Sequence, residues 1–143
     1  MKLYDLAGEL YNDLGRPTSI SVSSIAYWFQ TNIGQLNIEI ATDYALSSSG
    51  ESIPELGEKE GAIFKCLFKI HYFEGKIRSS LSTTGYSAIT QISSEGVKMR
   101  KVNRTAVTKT IRNLKKAAEE ELKQLSIEYN KRHVKIASVS IYP

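Results

Sequence analysis

Leu3, Leu6, Leu10 and Leu14 recur every three or four residues, with Tyr4, Ala7 and Tyr11 beside them. That spacing lines one face of a helix. Gly15-Arg16-Pro17 ends it, because proline has no amide to continue the ladder. The hydroxyl residues at 21, 23 and 24 can cap a second helix. Its inner face is Ile25, Trp28 and Phe29, reaching towards Ile33. Gly34 should break or bend that helix, and Leu36, Ile38 and Ile40 then alternate as an extended segment would. Residues 47–57, rich in Ser, Gly and Glu and holding Pro54, read as a loop.

Longer elements follow. Ile63, Leu67, Ile70, Ile77 and Leu81, widened by Phe64 and Phe68, fit a helical period over Glu58 to Leu81. Beyond Gly85 the pattern suggests a β-hairpin at about 87–102, with arms 88–93 and 97–102 and Gly96 in its turn. Asn103 can cap a last helix running to about Tyr129. Its stripe is Val107, Ile111, Leu114, Ala118, Leu122, Leu125 and Tyr129, with every step three or four residues. From Val134 the period becomes two. Val134 and Ile136 alternate with Lys135 and Ala137, and Val139, Ile141 and Tyr142 complete a β-prone arm over 134–143. Exposed alone, such an arm is an unpaired edge; it must pair within its own domain or add a strand to another chain. The second outcome is the expectation.

The expected fold class is therefore mainly α: a helical bundle with two long helices, a small β-hairpin and an extended C-terminal arm. One helical domain over 1–133 would carry the inserted hairpin, followed by the arm. A length of 143 residues suits one modest core.

Charge is unevenly distributed. Residues 1–62 hold Lys2, Arg16 and Lys59 against nine acids, a balance of −6, whereas residues 63–143 balance to +10. Lys98, Arg100, Lys101, Arg104, Lys109, Arg112, Lys115 and Lys116 follow one another without an acid among them. Such a run is either a solvated helix face or a contact surface for a neighbouring subunit or a polyanion. Lys98, Arg100, Lys101, Arg104, Lys109 and Arg112 are the candidates for that contact.

Chemistry is sparse by comparison. Cys66 is the single cysteine, which excludes an internal disulfide, and with only His71 and His133 beside it no zinc cluster is expected. The nine glycines form neither a phosphate-cradling nor a dinucleotide-binding loop. Glu119-Glu120-Glu121 are successive on a helix, about 100° apart, so they do not converge on one substrate atom. No nucleophile–base pair can be assembled, so no enzyme, cofactor or metal is expected. Asp5 and Glu9 interrupt the apolar start, which does not resemble a signal peptide, and no apolar run is long enough for a membrane span.

Three stretches carry a family resemblance. They are Tyr27-Trp28-Phe29-Gln30-Thr31-Asn32-Ile33-Gly34-Gln35-Leu36-Asn37, then Lys76-Ile77-Arg78-Ser79-Ser80-Leu81, then Val102-Asn103-Arg104 leading into the long helix. In these stretches and in the order of its elements, roughly Ser21 to Tyr129, the chain resembles the head–tail connector (adaptor, or neck) proteins of tailed bacteriophages. The resemblance implies a small helical subunit of the virion, made in the host cytoplasm and placed at the head–tail junction. It implies a homo-oligomeric ring beneath the portal protein, twelve-fold if it follows the family. A downstream tail or neck protein would lie below the ring and double-stranded DNA would pass through it. The arm, with Val134, Ile136, Val139, Ile141 and Tyr142, would reach the partner. The long last helix and the hairpin depart from a simple match. A small basic nucleic-acid-binding module is the alternative, resting on the 98–116 run, although no aromatic residue is interleaved there to stack on bases.

Overall fold

A computed structural model describes residues 1–90 and 95–141, with side chains for residues 1–79 and 106–131. The chain is mainly helical. Its elements are α1 (Leu3–Asp13), α2 (Val22–Thr31), α3 (Ile33–Ile40), a two-stranded antiparallel sheet of β1 (Ala45–Leu46) and β2 (Ser52–Ile53), α4 (Glu58–Thr90) and α5 (Glu95–Ile141). They divide into two compact units, residues 1–68 with 121–143, and residues 69–120.

The first unit is built as its apolar spacing predicts. Leu3, Leu6, Ala7 and Leu10 of α1 are buried together with Ile25, Ala26 and Phe29 of α2. Ser21 starts α2 with a reciprocal cap. Its hydroxyl accepts from the Ser24 amide at 3.1 Å, and the Ser24 hydroxyl accepts from the Ser21 amide at 2.9 Å. Ile63, Phe64 and Phe68 of α4 complete the core, with the Phe29 and Phe64 rings 4.5 Å apart and Trp28 edge-on to Phe68 at 5.3 Å. Aromatic pairs in such geometries add about 0.5–1.5 kcal/mol beyond the area they bury. A Cβ at Gly61 would come 3.2 Å from Leu6 Cδ1, so glycine lets α4 approach α1 closely there.

Asn37 fixes the turn after α3. Its Oδ1 accepts from the Tyr44 amide at 2.8 Å and the Thr42 hydroxyl at 3.0 Å, while its Nδ2 donates to the Tyr44 carbonyl at 2.9 Å. The sheet follows at once, with Ala45 opposite Ile53 and Leu46 opposite Ser52.

The second unit comprises parts of α4 and α5. Lys115 of α5 lies 3.3 Å from Glu74 of α4 and 3.6 Å from Glu119 on its own helix. Ile70, Tyr72, Phe73, Ile77 and Ile111 are only half-buried. Among its described large apolar side chains, none is fully enclosed.

Several expectations are corrected. Residues 33–40 form helix α3, not an extended segment, and the helix break falls at Asn32 rather than Gly34. Leu36 and Ile40 are buried while Ile38 stays 86% exposed, because a spacing of four satisfies a helix as well as a strand. The expected loop at 47–57 includes β2 and the turn of a real hairpin. The hairpin expected at 87–102 is absent from the described backbone. Residues 88–90 end α4, residues 95–102 belong to α5, and residues 91–94 lie outside the described residues. An isolated two-stranded hairpin is marginal in water, whereas a helix pairs its backbone groups within one segment. Asn103 consequently lies inside α5 rather than capping it. The extended arm is corrected on the same grounds: α5 continues through Val134, Ile136 and Val139 to Ile141. A helix leaves no open strand edge. Tyr142 lies outside the described residues.

Candidate interaction surface

Five of the seven positions in the α5 stripe predicted from sequence, Ile111, Ala118, Leu122, Leu125 and Tyr129, are buried or half-buried. Thr108 and Ala118 are buried, as are Ser126 and Tyr129 further along. Ile111, Lys115, Leu122 and Leu125 are half-buried between them. Val107 and Leu114, assigned to the inner face by their spacing, are instead 54% and 49% exposed. Together with exposed Thr110 and Ala117 they form an uncharged outer stripe at steps of three and four residues.

Basic side chains occupy another face of α5, about 150° around the helix from that stripe. Lys109, Arg112 and Lys116 are exposed, and their spacing sets them along one side of α5. Lys115 is withdrawn from this group by its contacts with Glu74 and Glu119. Lys98, Arg100, Lys101 and Arg104 sit on α5's helical backbone rather than on a hairpin, and their side chains lie outside the described residues. The side chains of Val134, Ile136, Val139 and Ile141 do so too.

A second surface was hidden by the misread α3. Tyr27 and Thr31 of α2, and Gly34 and Ile38 of α3, are exposed. Tyr27 is 67% accessible and Ile38 86%, and a Cβ added at Gly34 would meet nothing within 4 Å. No charged residue occurs from Pro17 to Ile38, and from Pro17 to Glu58 the charges are Glu39, Asp43, Glu51, Glu55 and Glu58, all acidic. That gap in the charge pattern was the sequence signal for this surface. An exposed face without charge in a chain with 24% charged residues has the composition of an interface centre.

Within the first unit, polar contacts fasten α5. The Ser126 hydroxyl donates to Glu39 at 2.9 Å, and the Tyr129 hydroxyl is hydrogen-bonded to the Glu60 carboxylate. Burial, followed by the Glu60 charge and hydrogen bond and then by Tyr44, pushes the Tyr129 pKa up to about 12. Burial and Glu60 also raise that of Tyr44. No periodicity links residues 39, 44, 60, 126 and 129, so sequence reasoning missed this cluster.

Cys66 is buried and His71 exposed, and Glu119, Glu120 and Glu121 are exposed on α5. Among the described residues no group of His, Cys, Asp or Glu could hold a metal ion, and no helix is long and apolar enough to cross a membrane. No protein-family model, no curated protein and no solved structure matches the chain.

Proposed function

We propose that the chain is a structural, non-enzymatic subunit of a tailed-bacteriophage virion. In this reading it is a head–tail connector that repeats as a ring below the portal protein and joins the capsid to the tail. The resemblance stated above suggests the setting. The observation that carries an assembly role is the division of charge. Acids alone occupy residues 17–58, bases alone occupy 98–116, and each stretch contains exposed apolar side chains. A ring of identical copies needs two different patches that meet head to tail, and opposite charge supplies their orientation. DNA must slide through such a ring, so the basic residues belong between subunits or outside rather than lining the channel.

The test is gold-labelled antibody against the chain on purified particles. Label concentrated at the head–tail junction is the expected result; particles without the chain would sink the reading. A second reading, a nucleic-acid-binding module, is favoured by the exposure of Lys109, Arg112 and Lys116 on one side of α5. It expects duplex affinity that falls steeply with salt.

A further inference from the structure

The division into two units also divides the charge. Residues 69–120 hold eleven bases against four acids, a balance of +7, while the rest of the chain holds eight against eleven, a balance of −3. Two of those four acids are engaged from within the unit, since Lys115 lies 3.3 Å from Glu74 and 3.6 Å from Glu119. Between Glu74 and Glu119 the remaining acid is Glu95.

The bases that α5 brings to this unit are ordered along it. Positions 98, 101, 105, 109, 112 and 116 follow at steps of three and four residues, which keeps them on one line of the helix. Five of the six are basic: Lys98, Lys101, Lys109, Arg112 and Lys116, with Thr105 at the other. From 98 to 116 the line runs about 27 Å at 1.5 Å per residue. Its next positions are Glu119 and Glu120, where the unit ends. Lys109, Arg112 and Lys116 are exposed.

The chemistry of that line selects its partner. Lysine is depleted from protein–protein interfaces, whose centres are apolar, and four of the five bases are lysines. An interfacial helix on an anionic membrane buries a broad apolar face. Among the described residues of this unit, Val107 and Leu114 are the large apolar side chains in solvent, which is too little for such a face. Single strands are held by bases stacked on aromatic side chains. The described aromatics of the unit, Tyr72 and Phe73, are half-buried, and Lys76 covers the Tyr72 ring at 5.5 Å. A duplex instead offers a stiff, regular row of phosphates, and 27 Å matches about eight of its base pairs. Lys and Arg make such phosphate contacts, which carry no sequence information.

We infer that the Lys98–Lys116 line of α5 binds the phosphate backbone of double-stranded nucleic acid without reading its sequence. This deepens the nucleic-acid reading above and rests on it, not on the connector reading.

The experiment is fluorescence anisotropy of the full chain with a labelled duplex of about 20 base pairs over a salt series. Five phosphate contacts give a slope of log affinity against log salt of about −4.5. Lys109→Ala, Arg112→Ala and Lys116→Ala together should weaken binding at least about tenfold and bring the slope to about −2. Circular dichroism should stay close to wild type, because all three side chains are exposed and alanine favours the helix. Lys2→Ala, Lys59→Ala and Lys131→Ala together remove the same charge from exposed positions in the other unit and should leave the slope as it is. Equal losses in the two triple variants would overturn the inference, because net charge rather than the line would then carry the binding. Tighter binding to a single strand of the same length would overturn it too, as would a preference of about 10³-fold between duplexes of unrelated sequence. In those three outcomes the nucleic-acid reading stands while this contact falls. Binding to phosphatidylserine vesicles but to no nucleic acid, or to neither, would remove both.

Discussion

Phe29, Phe64, Leu36 and Ile63 are sealed from solvent in the unit formed by residues 1–68 and 121–143. In the unit formed by residues 69–120 the described large apolar side chains remain half-buried, and Val107 and Leu114 project outward. The first unit has three short helices, a hairpin and parts of both long helices to enclose its apolar groups. The second has segments of two helices, and two helices enclose a strip rather than a core. Its apolar residues therefore exceed what its own packing can cover. The first unit also leaves large apolar side chains in solvent, among the described residues Tyr4, Tyr27, Ile38, Leu46, Ile53 and Ile127, but it encloses a core as well.

Phe64→Ala tests the closed side of that contrast most severely. Its ring is fully buried against Phe29 and Trp28, so truncation should cost about 3–5 kcal/mol in urea denaturation, the range for a buried phenylalanine. A loss under about 1 kcal/mol would mean that the aromatic cluster is not the core of the unit.

Tyr129→Phe sharpens it next, because Tyr129 helps fasten α5 within the closed unit. Removing its hydrogen bond to the Glu60 carboxylate should cost about 1–2 kcal/mol at neutral pH. The pH dependence provides a separate check. The Tyr129 hydroxyl titrates at about 12 in the fold against an ordinary value of 10.0. Its contribution is therefore complete below about pH 10 and is lost as pH rises towards 12, where the unfolded chain ionises first. Denaturation midpoints across that window should fall more steeply for wild type than for Tyr129→Phe, and Tyr44 should supply a shallower fall common to both. Parallel profiles would show that the hydroxyl is not held as described.

The same contrast explains what the sequence disclosed. Leu3, Leu6 and Leu10, or Ile25 and Phe29, announce their helices because one buried stripe accounts for each. The serines at 21 and 24 announce a cap because their chemistry is local. Leu36, Ile38 and Ile40 misled because a helix keeps the outer two together and turns the middle one out. Val107 and Leu114 misled for a related reason. Steps of three and four residues describe two neighbouring stripes equally well, and the half-buried Lys115 with the buried Thr108 mark the inner one. Spacing identifies a helix, but it does not choose between adjoining faces when polar residues line the buried one. The tie from Glu39 to Ser126 joins residues far apart in sequence, and no local pattern foreshadows it.

Leu114→Gln is the smallest expected change and the finest probe of the open side. Glutamine matches leucine closely in helix propensity, and the side chain is already 49% exposed. Folding stability of the dilute chain should therefore shift by about 0.5 kcal/mol or less. Chemical denaturation measures that shift. A variant that loses several kcal/mol in the dilute chain would place Leu114 inside a closed core and erase the difference between the two units.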